Sequence, residues 1–230
     1  MSKYTVLFSG GLDSTVLVYH LRNLVEVQGL NFRYGQRHSH REEAKALHTA
    51  RTLGITLRIY DLPEALFLGS ALTGAAPVPE GHYEHKSMTA TIVPNRNAVM
   101  LSLAVAYALS TGSGTVAYAA HAGDHPIYPD CRPEFVEAFN AMEAAALGGY
   151  GKVSVQAPFG LWTKSDIVKF GAQLRVPFED TWSCYVGGAI HCGRCATCVE
   201  RAEAFSLAGV SDPTSYADPD YWREVVKAKA

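Results

Sequence analysis

The feature that most constrains the fold of this chain is a short apolar segment that breaks at two glycines and continues with helical periodicity. Residues 5–8 are typical of a buried strand, residues 9–11 of a turn, and residues 14–21 carry apolar side chains at helical spacing. Glycines let a backbone approach an anion closely, and the free N–H groups of a first helical turn attract it. The pattern therefore predicts a strand, turn and helix that bind a phosphate group.

Three polar side chains of this turn refine the prediction. Ser9 and Ser14 add hydroxyl donors, whereas Asp13 repels a bare phosphate and is better explained as a partner of a bound Mg²⁺. The alternative is an ordinary turn that contains two glycines. The turn lacks the Lys-Ser/Thr ending of the Walker loop and the third glycine of the dinucleotide fingerprint. It resembles the signature of the PP-loop ATP pyrophosphatases, which implies cleavage of ATP between the α- and β-phosphates and a loop that holds the pyrophosphate.

Composition excludes several classes of protein. A length of 230 residues fits one domain over residues 1–230, and 48% apolar residues are enough for a core. The net charge of −2, without a run of Lys or Arg, argues against a broad nucleic-acid surface. The sequence shows no signal-peptide pattern and no apolar stretch of membrane-spanning length, so we expect no membrane partner and a cytoplasmic location.

Strand-like and helix-like segments alternate along the chain, which predicts an α/β fold with a parallel sheet and right-handed crossovers. The predicted strands are residues 5–8, 25–32, 56–62, 114–120 and 153–157. The predicted helices are residues 14–21, 38–53, 98–109, 134–147 and 167–174. Between them, residues 63–93 are rich in Pro and Gly, which indicates either a loop that covers a substrate or a flexible surface insertion.

Three further places suggest anion or ligand binding. Asn95 or Asn97 can cap the helix at 98–109, where Arg96 either meets an anion or is a surface residue. Residues 121–133 follow a buried strand, at the sheet edge where α/β proteins bind ligands. Lys164 stands within a predicted capping box, where it either reaches a phosphate or is solvated.

Four of the five cysteines fall within residues 184–198, which predicts a metal site. The thiolates of Cys184, Cys192, Cys195 and Cys198 can surround one Zn²⁺, and a site with four protein ligands is structural because no position stays open. Such a site would pin residues 180–206 to the rest of the domain. An iron–sulfur cluster is the alternative, less favoured because no proline follows Cys198. Cys131 stands apart, as a core thiol or a site-lining residue.

Six motifs in order carry a more specific resemblance, over residues 4 to about 206. They are residues 9–14, 34–38, 93–97, 128–135, 181–184 and the cysteine run 192–198. Together they resemble the 7-cyano-7-deazaguanine synthase (QueC) family of queuosine biosynthesis. The resemblance implies an adenine-nucleotide α-hydrolase-like fold with sheet order 3-2-1-4-5 and helices on both faces. It implies a homodimeric ligase that converts 7-carboxy-7-deazaguanine and ammonia into the 7-nitrile with ATP and Mg²⁺, through an adenylated carboxylate and an amide.

The resemblance also assigns roles to residues of this sequence. The residues expected to bind ATP or its pyrophosphate are Phe8, Ser9, Gly10, Gly11, Leu12, Asp13, Ser14, Thr15, Arg96 and Lys164. The residues expected to be catalytic are Ser9, Asp13, Ser14 and Lys164. The residues expected to contact the deazaguanine are Tyr128, Asp130 and Arg132.

One segment departs from the family pattern. Around His125-Pro126-Ile127 the sequence differs from the family pattern, which is nearer Asn-Ala-Val-Asp-Tyr-Ser-Gly. This difference bears on the substrate contacts and on the fate of the amide. Three alternatives therefore stay open: a family member that stops at the amide or uses another amine, a tRNA-thiolating PP-loop enzyme, and a nucleotide-binding sensor without catalysis.

Overall fold

The computed structural model describes residues 2–228 and is built around one five-stranded sheet of order β3-β2-β1-β4-β5. Every neighbouring pair of strands is parallel, as predicted. The strands are β1 (Lys3–Leu7), β2 (Glu26–Arg33), β3 (Thr56–Asp61), β4 (Thr115–Ala117) and β5 (Ser154–Gln156). The chain builds outward from β1 to β3 and then returns to the other side of β1. This reversal leaves a crevice between the carboxyl ends of β1 and β4, where open α/β sheets bind ligands.

Helices cover both faces of the sheet, which confirms the predicted fold class. They are α1 (Leu12–Leu21), α2 (Ser39–Leu53), α3 (Arg96–Ser110), α4 (Pro133–Leu147), α5 (Lys164–Gln173), α6 (Ala196–Ala208) and α7 (Tyr221–Lys227). One core contains buried side chains of α1, α2, α5 and α6, and the other contains those of α3 and α4. Val6 and Val116 on the two central strands are fully buried, because helices shield the sheet from both sides.

Local sequence signals fix most helix ends. Gly54 ends α2 with φ of 64°, and Pro133 occupies the first turn of α4. Thr163 and Asp166 form the predicted capping box of α5. The start of α3 differs from the prediction, because neither Asn95 nor Asn97 caps it through a side chain. The Asp130 carboxylate instead accepts a hydrogen bond from Asn97 N at 3.0 Å.

Residues 63–93 form an ordered loop with two short 3₁₀ turns, Glu64–Leu66 and Lys86–Thr91. Its side chains Phe67, Leu72 and Met88 are each 1% exposed, so the loop is packed onto the protein rather than being a flexible insertion. Within residues 2–228, no helix is long and apolar enough to cross a membrane. The apolar α3 was expected to be buried, but Leu103 is 42% exposed because the helix covers the sheet with only one face.

Candidate active site

A cavity of about 250 Å³ opens at the crevice between β1 and β4. Two groups of side chains stand out in its lining. We call the first the loop cluster: Ser9, Asp13, Ser14, His121, Asp124, Lys164 and Glu200, all of which line the cavity or touch residues that do. We call the second the tyrosine cluster: Tyr34, Arg96, Tyr118, Tyr128 and Tyr185.

The glycine turn after β1 is held in one conformation by its own residues and by α2. Gly10 has φ of +91°, and a Cβ there would lie 2.2 Å from the carbonyl oxygen of Glu42. A residue other than glycine would therefore displace the turn from α2. The Gly11 N–H donates to Ser9 Oγ at 3.0 Å, and Ser14 Oγ lies 3.1 Å from Ser9 Oγ. Both hydroxyls are thus fixed where α1 begins, which suits the binding of an anion.

Lys164, the first residue of α5, is the cation of the loop cluster. Its Nζ lies 2.7 Å from Glu200 Oε2 and 3.3 Å from Asp13 Oδ2, and its side chain is only 11% exposed. Burial by itself would lower the pKa of Lys164, but the carboxylates of Asp13, Glu200 and Asp124 outweigh it and raise the pKa. The lysine is therefore charged. It is not solvated, which was one of the two alternatives that the sequence left open.

His121 joins the carboxylates from the other side of the crevice. Its Nε2 lies 3.7 Å from Asp124 Oδ2 and 3.9 Å from both Asp13 Oδ2 and Glu200 Oε1. The Asp124 carboxylate also accepts from His121 N at 3.1 Å, which fixes the short 3₁₀ turn after β4. Three carboxylates thus converge on one lysine and one histidine at the mouth of the glycine turn.

Asp13 suits the predicted Mg²⁺. Its Oδ2 pairs with Lys164, but its Oδ1 is buried and has no hydrogen-bond partner within the described residues. A buried carboxylate oxygen without a partner is costly, and a hard cation that prefers oxygen ligands would satisfy it. The donor set therefore fits a Mg²⁺ that arrives with a phosphate ligand.

The tyrosine cluster surrounds a guanidinium that no carboxylate neutralises. Arg96 Nη1 donates to Tyr34 OH at 3.1 Å, and within the part of the chain that the structure describes no Asp or Glu carboxylate oxygen lies within 4 Å of its guanidinium nitrogens. Burial would lower the pKa of Arg96, but Tyr34, Tyr185 and Cys131 raise it above its ordinary value. Tyr128 OH lies 2.6 Å from Thr91 Oγ1. The cluster combines flat aromatic surfaces with one unpaired positive charge.

The structure brings most of the predicted site residues to this cavity. The lining includes Phe8, Ser9, Gly11, Leu12, Asp13, Ser14, Arg96, Tyr128 and Lys164. Gly10 and Thr15 lie behind the lining; Gly10 packs on α2, and Thr15 is fully buried. Cys131 is both a core thiol and a lining residue.

Asp130 and Arg132, which the family resemblance assigns to the substrate, are not among the lining residues. Asp130 caps α3 through Asn97, and Arg132 Nε donates to the backbone oxygen of His125 at 2.9 Å. Residues 125–127, which differ from the family pattern, also lie outside the lining. Ile127 packs with Met88 and Ala196. These residues support the cavity from behind.

The lining residues to which sequence reasoning gave no role include Tyr34, Glu42, Tyr118, Tyr185 and Glu200. Two signals were present. Tyr34 directly follows β2 and Tyr118 directly follows β4, so both stand at the carboxyl edge of the sheet. Glu42 follows His38 by one helical turn on α2, whereas Glu200 and Tyr185 reach the cavity only because the cysteine segment folds back to it.

The four predicted cysteines form one cluster. Their sulfur atoms all lie within 4.8 Å of one another, and Cys192 Sγ is 3.9 Å from Cys198 Sγ. A Zn–S distance of about 2.3 Å gives a tetrahedral S–S edge of about 3.8 Å, so the spacing fits a tetrahedral metal ion such as zinc. Cys195 directly precedes α6, and Ala196, Thr197 and Glu200 of that helix line the cavity. The metal site therefore positions one side of the cavity.

The sheet of order 3-2-1-4-5, with a Ser-Gly-Gly-Leu-Asp-Ser loop after its central strand, defines the PP-loop class of ATP-using α/β proteins. Residues 3–209 match the family described as queuosine biosynthesis protein QueC. The chain belongs to the QueC family, as its motifs predicted.

Individual relatives agree with this assignment. The chain is 51% identical over 231 residues to a 7-cyano-7-deazaguanine synthase of Paracoccus denitrificans, covering 97% of each chain. It is 53% identical over 223 residues to the enzyme of the same name from Rhizobium meliloti, covering 96% of this chain and 94% of that one. Among solved structures, the NMN synthetase of Francisella tularensis is similar at a TM-score of 0.49 and 16% identity, covering 98% of this chain and 85% of that one. Similarity at that level carries no functional information.

Proposed function

We propose that this protein converts 7-carboxy-7-deazaguanine and ammonia into 7-cyano-7-deazaguanine (preQ0) with ATP, through an adenylated carboxylate and an amide. The observation that carries the proposal is the presence of the loop cluster and the tyrosine cluster in one cavity. The first suits a nucleotide with its Mg²⁺, and the second suits a flat heterocycle with an anionic group. The names of the relatives support the same reaction.

The loop cluster would perform the activation step. A carboxylate reacts poorly with ammonia until one of its oxygens becomes a good leaving group, which adenylation provides. The glycine turn and the hydroxyls of Ser9 and Ser14 would hold the departing pyrophosphate, and Lys164 would neutralise charge as it develops there. Mg²⁺ held by Asp13 would supply Lewis-acid stabilisation of the same oxygens.

The tyrosine cluster would bind the heterocycle. Arg96 contacts Tyr34 and Asn97, not the glycine turn, so we propose that it pairs with the substrate carboxylate in preference to the phosphate. Tyr128 would contact the ring. Asp130 and Arg132 would act indirectly, by holding the start of α3 and the segment that contains His125.

Two structural observations bear on the alternatives. Residues 125–127, which differ from the family pattern, lie outside the lining of the cavity. Their position favours the full reaction to the nitrile over a reaction that stops at the amide. Thiolation of tRNA needs redox-active or cluster-binding cysteines, so at the four-cysteine cluster the identity of the metal separates the two reactions. Burial raises the pKa of the remaining Cys131, so its thiolate is disfavoured.

Further parts of the proposal extend beyond the cavity. We propose that the four cysteines bind a structural Zn²⁺ that holds residues 180–206 within a single domain. We also propose a homodimer that works on small molecules in the cytoplasm and needs no nucleic acid.

Mass spectrometry of the reaction products tests the proposed function. Purified protein is incubated with ATP, Mg²⁺, ammonium and 7-carboxy-7-deazaguanine, and the expected products are the nitrile and AMP. Accumulation of the amide alone would support the amide-stopping alternative. No turnover and no AMP would contradict the proposal, and bound iron together with tRNA binding would favour thiolation.

A further inference from the structure

We infer that Glu42 is the general base that takes a proton from ammonium next to the activated carboxylate; this inference rests on the function proposed above. Glu42 lies on α2, outside the glycine turn, and its side chain lines the cavity. The proposed reaction needs such a group, because ammonium has no free electron pair with which to attack carbon.

Four carboxylates line the described cavity: Asp13, Glu42, Asp124 and Glu200. Three of them already have a charged or hydrogen-bonding partner. Lys164 Nζ lies within 3.3 Å of an oxygen of both Asp13 and Glu200, and Asp124 accepts from the backbone N–H of His121.

Glu42 differs from these three because no lysine or arginine pairs with it directly. Its Oε2 lies 3.6 Å from His38 Nε2, and no lysine or arginine lies within 4 Å of its carboxylate among residues 2–228. Burial lowers the pKa of His38 to about 4, so this histidine is neutral near pH 7 and does not act as a counter-ion. Glu42 is therefore free to exchange a proton with a ligand in the cavity.

Glu42 also stands between the two halves of the site. Its Oε1 lies 3.7 Å from the position that a Cβ on Gly11 would take, so it borders the glycine turn. Arg96 of the tyrosine cluster acts on the same carboxylate electrostatically. A substrate carboxylate that bridges Arg96 and the nucleotide would place its reacting carbon near Glu42.

The proton affinity of Glu42 suits the task. Burial raises the pKa of this carboxyl to about 8, and the charge of Arg96 opposes the rise. The other titratable groups that face it are His38, directly before α2, and Tyr34, directly after β2. Amines have pKa values of about 8 to 10, so a carboxylate with an ordinary pKa would accept their proton only with difficulty. A matched pKa makes the transfer nearly balanced.

The step balances as follows. One proton passes from ammonium to the Glu42 carboxylate, and the freed electron pair of nitrogen forms a bond to the acyl carbon of the adenylate. The tetrahedral adduct collapses as the C–O bond breaks and AMP leaves with the bonding pair. A second proton leaves the nitrogen to water, which gives the neutral amide, and Glu42 then releases its own proton to solvent.

The test compares nucleophiles in Glu42→Gln, which keeps the shape of the side chain. With ammonium near pH 7.5, we expect amide formation to slow by roughly 10²- to 10⁴-fold, the usual contribution of a general base. Hydroxylamine is uncharged at this pH and needs no prior deprotonation, so hydroxamate formation is expected to stay close to the wild-type rate. Exchange of pyrophosphate into ATP, which reports adenylation alone, is also expected to persist.

Two controls keep the result interpretable. Glu43→Gln changes the next residue of the same helix, which pairs with Arg33, and is expected to use both nucleophiles normally. Raising the pH supplies free ammonia and is expected to restore Glu42→Gln. If Glu42→Gln loses the same factor in rate with ammonium and with hydroxylamine, or loses none, the inference about Glu42 is wrong. Activity of the wild-type protein would still uphold the proposed function in that case. An inactive wild-type protein would instead contradict the proposed function.

Discussion

Lys164 shows how the surroundings of one residue decide its chemistry. A lysine at a helix start is usually solvated, but here Asp13 and Glu200 hold its ammonium group in the cavity. The lysine in turn allows two carboxylates to lie close together next to the proposed binding site for the phosphates of ATP. Removing it would leave their negative charges facing each other and the incoming ATP.

We therefore expect Lys164→Met to lower the rate of adenylation by roughly 10²- to 10³-fold, the cost typical of removing one group that stabilises developing charge. The exchange of pyrophosphate into ATP measures this step without ammonia. Lys169→Met, on the exposed side of the same helix, is the matched control. Normal exchange in Lys164→Met would show that the lysine only supports α6 through Glu200.

The raised pKa of Glu42 has a consequence for stability. An acid whose pKa is higher in the folded state stabilises the fold fully below its unfolded pKa, and this stability is lost as pH rises from about 4.5 through about 8. We expect Glu42→Gln to remove a slope of up to about 1.4 kcal/mol per pH unit in this window. Urea unfolding at several pH values measures it. Glu137→Gln on the surface of α4 should leave the slope unchanged, and an unchanged slope in Glu42→Gln would contradict the shift.

The residues that sequence reasoning found are those whose role depends on near neighbours in the chain. Ser9, Asp13 and Ser14 share one turn, so the sequence alone predicts that they act together on an anion. Tyr185 and Glu200 reach the same cavity from a segment that is far away in sequence, and no local pattern marks them. Only the fold brings them together.

At the level of elements, α3 shows why local cap signals can mislead. Two asparagines stand at its start, but the cap comes from Asp130, 33 residues further along the chain. The capping box of α5 was predictable because both of its members lie within four residues. Helix α6 was missed because Cys195 directly precedes it and Cys198 lies in its first turn, which indicated a metal site instead of a helix.

The cap suggests a test that separates two roles of Asp130. If the residue acts through α3, Asp130→Ala should lower the free energy of unfolding by about 0.5 to 2 kcal/mol, the usual cost of losing a cap. Asp130→Asn keeps an acceptor and should cost less, with KM for the deazaguanine little changed in both variants. Urea unfolding and steady-state kinetics measure the two effects. A large rise in KM with unchanged stability would support the direct substrate contact that the family resemblance implied.

On the scale of the whole molecule, the cysteine segment contacts two distant parts of the chain, the loop of residues 63–93 and the segment around Asp218. Glu80 forms a β-bridge to Cys195, and Arg194 pairs with both Glu80 and Asp218. The loop of residues 63–93, which brings Tyr83 to the cavity, is thereby attached to the metal site. The parallel sheet and its order followed from the alternation of elements and the family motifs, but these attachments did not. The single domain and the homodimer stay predictions.

Loss of the metal should therefore loosen the loop as well as the cysteines. We expect the protein to contain one zinc per chain and Cys198→Ser to lose it, with faster proteolysis within residues 74–86. Elemental analysis and limited proteolysis measure the two effects, and Cys131→Ser should retain its zinc. Iron in place of zinc, or an unchanged cleavage rate after loss of the metal, would contradict this prediction.

The segment that closes over the cysteines also has a consequence for biosynthesis. Asp218 packs against Gly193 so closely that a Cβ on Gly193 would lie 1.9 Å from its carbonyl oxygen, and Tyr216 pairs with His191. The ribosome makes the cysteines before it makes these covering residues. A metal ion present during translation meets open thiolates, whereas one that arrives later meets a closed surface. We expect chains refolded without zinc to take it up more slowly than chains refolded in its presence, so the timing of metal delivery would govern the yield of finished protein.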